Sequence, residues 1–165
     1  MAGLPAYADL AVSRSTKGIS VSWPLEYSKN LSRGEFVSDR FILQGELTVE
    51  DRETKLMWQR GASVDRMVWK DGFAYVDGLN QTFFGGYSGW RYPTKEEMAT
   101  LISPEEDRRS GLYLSPLFEN QKCCWTATET DHHRACYVDF YYGDIYVIEE
   151  NYANHFVRAV RTHQE

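Results

Sequence analysis

The 165-residue sequence lacks several features that would assign it quickly to a functional class. No apolar run approaches the roughly 20 residues of a membrane-spanning helix, so we expect no membrane span. The first twelve residues lack the basic and apolar regions of a signal peptide, which fits a cytosolic protein or a leader replaced by the start Met. The net charge of −6 argues against a general nucleic-acid binder, which would carry a basic stripe.

Common catalytic and metal-binding motifs are also missing. The chain has no glycine-rich phosphate loop, GxSxG elbow, HExxH or CxxC motif, which disfavours most common enzyme classes. Its three cysteines, Cys123, Cys124 and Cys136, do not form the even-numbered framework of a small secreted scaffold. They leave two alternatives open: one disulfide from Cys123 or Cys124 to Cys136, or three buried thiols.

Aromatic residues, in contrast, are plentiful. They make up 15% of the chain, and eight of the eleven tyrosines lie from Tyr87 onward. Tyrosine suits both the edge of a core and a binding surface. The length fits one domain with a substantial core. We place this domain at residues 36–165, after an N-terminal extension at residues 1–35. Trp23 and Leu25 are candidate anchors for that extension.

The order of the predicted elements is that of an α+β domain. Three short strands are predicted at residues 40–43, 47–50 and 55–59. An amphipathic helix is predicted over 67–80, with Val68, Phe73, Val76 and Leu79 at helical spacing. A second helix begins at Thr94, because Glu97 occupies the capping-box position three residues later.

The remainder of the domain is predicted to be a long loop followed by β-structure. Residues 103–122 are charged and turn-rich, and we expect a loop there. Four β-rich segments follow, "CCWTATE", "ACYVDFYY", "GDIYVIE" and "HFVRAVR", and they predict an antiparallel meander. Gly143 supplies the positive φ of the turn between the second and the third segment.

Several of these segments, taken in order, resemble the Lcl C-terminal domain family, which is named for a bacterial collagen-like adhesin. The matching segments are "ETKLMWQR" (53–60), "GGYSGWRYPTKEEM" (85–98), "CCWTATE" (123–129), "ACYVDFYYGDIY" (135–146) and "FVRAVR" (156–161). The resemblance implies a C-type-lectin-like fold and an extracellular or cell-surface location, with a cytoplasmic location as the alternative. Some members of that family are diversified by retroelements, which vary surface positions through adenine-rich codons.

The chain departs from the family pattern in several respects, and one is the segment "ILQGELTVED", where members often carry a short acidic glycine turn. Where many members carry a pair of cysteines, this chain has Gly61 and Ala159, so that disulfide staple is absent. The calcium-carbohydrate tripeptides of true C-type lectins are missing as well. Calcium-dependent sugar binding is therefore not expected, and no cofactor is predicted.

Some residues of the family motifs are assigned to the scaffold. Trp58, Trp90 and Trp125 are expected in the core. Arg91 is expected to pair with a carboxylate. Of Arg158 and Arg161, one is expected to satisfy a buried carbonyl or carboxylate, while the other is solvated.

The candidate ligand-binding surface spans residues 130–155. A face rich in Tyr, Asn, Asp and His on a β scaffold resembles a paratope, in which tyrosine supplies contact area and Asn or Asp supplies hydrogen bonds. We therefore predict a non-enzymatic module that binds a protein or glycan, with no nucleic-acid partner and with an oligomer formed through residues 1–35 as an option. The predicted contact residues are Asp131, His132, His133, Arg134, Tyr137, Asp139, Tyr141, Tyr142, Asp144, Tyr146, Asn151, Tyr152, Asn154 and His155.

Three alternatives remain beside this hypothesis. The stretch "ETDHHRAC" contains metal-ligating atoms, but adjacent histidines in a turn usually diverge and zinc-type cysteine spacing is absent, so no metal site is predicted. A cysteine- or metal-dependent enzyme would pair Cys124 or Cys136 with His132 or His133, in a fold group that includes formylglycine-generating enzymes. The third alternative is a structural subunit of a surface assembly.

Overall fold

The computed structural model describes the backbone of residues 12–15 and 18–21 and all of residues 39–163. The chain divides into two compact units, Met1–Asp39 and Arg40–Glu165. In the first unit, β1 (Val12–Ser15) and β2 (Gly18–Val21) pair as an antiparallel hairpin. The proposed anchors Trp23 and Leu25 lie outside the described residues.

The second unit combines two α-helices with antiparallel sheets, so the α+β prediction is confirmed. The helices are α1 (Asp71–Gln81) and α2 (Lys95–Ala99). The strands are β3 (Phe41–Gln44), β4 (Thr48–Asp51), β5 (Leu56–Gln59), β6 (Ile102–Asp107), β7 (Leu112–Leu114), β8 (Cys123–Thr130), β9 (Arg134–Asp139), β10 (Asp144–Glu149) and β11 (Val160–Thr162). Neither helix is long and apolar enough to cross a membrane, within the residues described.

Two sheets carry most of the unit. One has four strands in the order β11-β5-β4-β3, and the other has three in the order β10-β9-β8. A separate hairpin is formed by β6 and β7. Side chains of β4 and β5 are almost all buried, and Trp58 on β5 is paired with both Val49 and Val160. Trp58 and Trp125 are fully buried, each in one of two core clusters, as predicted.

The start of α2 follows the predicted capping box. The Thr94 hydroxyl accepts a hydrogen bond from the Glu97 amide (3.2 Å), and the Glu97 carboxylate accepts one from the Thr94 amide (2.9 Å). Arg91 also donates twice to the same carboxylate, at 2.7 and 2.6 Å. Mainly because of these Arg91 bonds, the pKa of Glu97 lies below its usual value. The short helix is thereby tied to the loop before it.

The buried carboxylate of Asp51 organises the β4–β5 turn. It accepts hydrogen bonds from Arg40 at 2.9 and 2.7 Å and from the Thr54 hydroxyl at 2.8 Å. Burial alone would raise the pKa of Asp51, but the bonds from Arg40 and Thr54 outweigh that effect, and the pKa is lowered. The charged form of Asp51 is therefore stabilised in the folded protein.

Residues 155–162 join the two sheets, and we call them the closing segment. His155 forms a backbone bridge with Met67, and Phe156 pairs with Cys124 on β8. The closing segment then becomes β11, which pairs with β5. Buried Arg158 donates to the carbonyl oxygens of Gly61 (2.8 Å) and Glu119 (2.9 Å), and to the Gln121 side chain (2.8 Å).

Three expectations from the sequence were wrong. Residues 103–122 were expected to be a loop, yet β6 and β7 form a hairpin there, held down by the buried side chains of Leu112 and Leu114. The segment "HFVRAVR" does not extend the meander, because β11 pairs with β5 in the other sheet. The first helix begins at Asp71 rather than near residue 67, and Phe73 remains 44% exposed.

Candidate functional site

An aromatic row crosses the three-stranded sheet. Trp125 on β8, Tyr137 on β9 and Tyr146 on β10 are paired in register, so their rings share one face. The ring centroids lie 6.0 Å apart for Trp125 and Tyr137, and 5.7 Å apart for Tyr137 and Tyr146. Trp125 is buried, Tyr137 is half-buried and Tyr146 is 38% exposed. The row therefore runs from the core to the surface at the edge strand β10.

The β9–β10 turn continues this row with two more tyrosines. The Asp139 carboxylate accepts hydrogen bonds from the amides of Tyr141 (2.9 Å) and Tyr142 (3.3 Å), and Gly143 turns the chain with a φ of 68°. The rings of Tyr141 and Tyr142 lie 5.0 Å apart, and Tyr142 lies 6.5 Å from Tyr146. We call Tyr137, Tyr141, Tyr142 and Tyr146 the tyrosine surface. Asp139 is itself buried and fixes the turn.

His155 packs against the tyrosine surface through Tyr137. Its ring stacks on Tyr137 at 4.1 Å and meets Trp125 edge-on at 4.6 Å. Burial, together with the nearby Arg66, lowers the pKa of His155 to about 4. The imidazole is therefore neutral at pH 7, and it packs against the rings of Tyr137 and Trp125.

The other predicted contact residues fall into two groups beside the tyrosine surface. The first group lies at the two ends of β10, and its members are all exposed: Asp144 begins the strand, and Asn151, Tyr152 and Asn154 follow it. Tyr152 reaches 82% exposure. In the β8–β9 turn, Asp131 pairs with His132 (3.3 Å) and with Arg134 (3.1 Å), and these side chains are also exposed. The structure thus places most of the predicted residues on the exterior of one sheet and its connections.

The β8–β9 turn also brings together a cluster that includes a residue the sequence analysis did not select. Ligand atoms of Glu129, His133 and Glu150 all lie within 4.8 Å of one another. Glu129 and His133 are exposed, whereas Glu150 is only 1% exposed. Burial raises the pKa of Glu150, and the adjacent Glu129 carboxylate raises it further. In the sequence, Glu150 follows Glu149 after a β-strand, a pattern typical of a solvated strand end, so no local signal indicates its burial.

The cysteines do not have the character of catalytic nucleophiles. All three are free thiols. Cys124 and Cys136 are buried, and burial raises the pKa of Cys124 to about 11. Half-buried Cys123 donates a hydrogen bond to Asp139 (3.3 Å); burial and this bond raise its pKa to about 12. Since the thiolate is the reactive form, these environments disfavour cysteine chemistry.

A shallow cavity lies elsewhere in the second unit, between α1 and the loop before α2. Its volume is about 300 Å³, and its lining includes Phe73, Asp77 and Arg91. The predicted contact residues are not among those that line it. The guanidinium of Arg91 at its rim already forms the ion pair with Glu97.

The fold and the exposed rings define a small α+β domain that presents tyrosines from a hydrogen-bonded antiparallel sheet. The chain belongs to the Lcl C-terminal domain family, whose model matches residues 47–161. The family predicted from the sequence motifs is therefore confirmed. Comparison with curated protein sequences gives no match.

Proposed function

We propose that this domain is a non-enzymatic binding module, and that the tyrosine surface together with Tyr152 contacts a protein or glycan ligand. The observation that carries the proposal is the exposure of four large rings on an ordered β scaffold. Tyr141, Tyr142, Tyr146 and Tyr152 are 51%, 67%, 38% and 82% exposed. Clustered exposed aromatic residues are typical of interaction sites.

The support beneath these rings favours binding over a merely exposed hairpin. Tyr146 contacts Tyr137, and Tyr137 stacks on His155, which in turn contacts the buried Trp125. The Asp139 carboxylate holds the backbone of Tyr141 and Tyr142. A ring whose position is fixed before binding loses little entropy when it contacts a ligand. The surrounding polar side chains, Asp144, Asn151 and Asn154, supply adaptable hydrogen bonds.

Three finer aspects belong to the same proposal. We propose a C-type-lectin-like arrangement, supported by the two helices and antiparallel sheets of the second unit. Family membership supports an extracellular or cell-surface location. The exposed Tyr, Asp, Asn and His residues further support diversification by a retroelement. Diversification predicts a near-copy of the coding region for residues 122–156 beside a reverse transcriptase gene. If no such copy exists, the diversification part of the proposal is wrong and the binding part is unaffected.

Binding to a glycan array and to an array of purified cell-surface proteins tests the main proposal. We expect Tyr142→Ala and Tyr146→Ala each to weaken the recognised interaction by about thirtyfold, the effect of a typical interface hot spot of about 2 kcal/mol. Phe83→Ala is the matched control, because Phe83 is 63% exposed but lies in the segment after α1. Its affinity should equal that of the wild type.

Thermal unfolding of each variant separates lost contacts from lost structure, and the melting temperatures should be unchanged. The proposal is wrong if neither array gives a signal above background. It is equally wrong if a signal is insensitive to both tyrosine substitutions while Phe83→Ala reduces it.

A further inference from the structure

We propose that Glu129, His133 and Glu150 form a binding site for one divalent transition-metal ion, such as Zn²⁺, at the end of the three-stranded sheet. The three side chains come from the last residues of β8, the β8–β9 turn and the residue directly after β10. This site is independent of the tyrosine surface and does not rest on its proposed role.

The strand register explains why these three side chains converge. Glu129 is paired with Ala135, and Ala135 is paired with Ile148, so the three residues form one row across the sheet. His133 and Glu150 are each two residues from a member of that row. His133 and Glu150 lie just outside the paired strands, so the register brings all three residues to the same end of the sheet, where their ligand atoms lie within 4.8 Å of one another.

The backbone ties the two segments that carry His133 and Glu150. The Glu150 amide donates a hydrogen bond to the His133 carbonyl oxygen (3.0 Å), and the Glu150 carbonyl accepts one from the Trp69 amide (3.2 Å). His132 and His133 both adopt left-handed backbone conformations, with φ values of 62° and 58°. The turn therefore holds His133 beside the residue after β10.

Glu150 supplies an independent indication of a cation. Its side chain is fully buried, and neither carboxylate oxygen has a hydrogen-bond partner among the described residues. Buried carboxylates are normally hydrogen-bonded, paired or metal-bound, because an isolated buried charge is very costly. The Lys70 ammonium lies 3.8 Å from one oxygen, beyond hydrogen-bond distance, and its side chain is 62% exposed. The Glu150 carboxylate thus lies beside Glu129 and His133 with an exposed ion-pair partner, Lys70, and with no hydrogen bond to either oxygen.

The ligand types indicate which ion the site would take. One imidazole and two carboxylates suit Zn²⁺ and similar first-row ions, and leave room for water as a further ligand. Calcium prefers six to eight oxygen ligands, which this set does not provide. Tetrahedral zinc with ligand bonds of about 2.1 Å places its ligand atoms roughly 3.4 Å apart. Rotation of the exposed Glu129 and His133 side chains would close the present separation of up to 4.8 Å.

Zinc titration of the full-length, untagged and chelator-treated protein tests the site. We expect one tightly bound Zn²⁺ per chain by calorimetry and elemental analysis. Free Zn²⁺ at about a hundred times its dissociation constant should raise the melting temperature of the protein by roughly 5–10 °C. Glu150→Gln and His133→Asn should each weaken binding at least tenfold, whereas calcium should not bind.

Neighbouring residues provide matched controls. Glu149→Gln changes the adjacent exposed carboxylate, and His132→Asn changes the adjacent histidine with a similar backbone conformation. Both should retain wild-type affinity. Glu129→Gln changes an exposed ligand and leaves the core unchanged. If this variant also binds Zn²⁺ more weakly, the loss cannot be attributed to unfolding of the core.

Three outcomes would overturn the proposal. The first is the absence of stoichiometric Zn²⁺ binding. The second is equal loss of affinity in His132→Asn and His133→Asn, which would indicate a nonspecific surface site. The third is unchanged affinity in Glu150→Gln. If Zn²⁺ does not bind and Lys70→Met lowers the melting temperature, Lys70 rather than a metal ion compensates the charge of Glu150.

Discussion

Replacing the buried Arg158 by methionine should destabilise the domain strongly. The guanidinium donates to the carbonyl oxygens of Gly61 and Glu119 and to the Gln121 side chain, and it stacks over the Phe118 ring at 4.9 Å. Methionine fills part of the same volume but donates no hydrogen bond. The Gln121 side chain is partly exposed and can turn to water, and the Glu119 carbonyl oxygen also accepts a hydrogen bond from the Gln121 amide (2.9 Å). The Gly61 carbonyl oxygen therefore determines the main cost.

The expected magnitude follows from the Gly61 carbonyl oxygen and from the lost contact with the Phe118 ring. Each buried acceptor left without a donor costs about 1–3 kcal/mol. Removing a buried cation offsets part of this, because the guanidinium no longer has to be taken out of water. We therefore expect the free energy of unfolding to fall by about 2 kcal/mol, with a drop in melting temperature of roughly 6 °C.

Urea unfolding followed by tryptophan fluorescence and circular dichroism measures this change. Arg161→Met is the matched control, because Arg161 is partly exposed, donates to the Ser88 carbonyl (2.9 Å) and lies over the Tyr87 ring. Its cost should stay below about 1 kcal/mol. A value for Arg158→Met within about 0.5 kcal/mol of wild type, or equal to that of the control, would refute the reasoning.

Two further predictions concern titratable groups. The folded-state pKa of Asp51 is lowered, so its contribution to stability is present above the unfolded pKa of about 3.9 and is lost as the pH falls through the folded value. The urea concentration at the unfolding midpoint should therefore be higher for the wild type than for Asp51→Asn at pH 7, and this difference should shrink below about pH 4. A difference that stays constant with pH would contradict the prediction. Because Cys123 has a raised pKa and Cys124 and Cys136 are buried, iodoacetamide at pH 8 should label native protein at least about a hundredfold more slowly than urea-unfolded protein. Rapid native labelling of one thiol, read by mass spectrometry, would instead support the cysteine-enzyme alternative.

The elements that the sequence predicted well depend on local chemistry. The capping box of α2 is determined by Thr94 and Glu97, which are three residues apart, and the β9–β10 turn by Gly143. That Arg91 pairs with a carboxylate was also predicted, and the structure gives its partner as Glu97, six residues away. In each case the interacting groups are close in the chain, so the motif contains most of the information.

The features that were missed depend on distant residues. The β6 strand contains Pro104 and charged side chains, so only its pairing with β7 identifies it as a strand. The pairing of β11 with β5 joins residues about a hundred positions apart, as in Val160 and Trp58. Buried Glu150 is held by backbone hydrogen bonds to His133 and Trp69, and neither residue is adjacent to it in the sequence.

The closing segment determines when this domain can finish folding during synthesis. Residues 155–162 supply an edge strand to β5 and a parallel partner to β8, and Arg158 bonds carbonyl oxygens of two separate loops. A nascent chain that has not yet exposed these residues outside the ribosome therefore leaves an edge of each sheet unpaired. Such edges favour pairing with other chains. The domain depends on residues translated after all its other elements to protect it from aggregation.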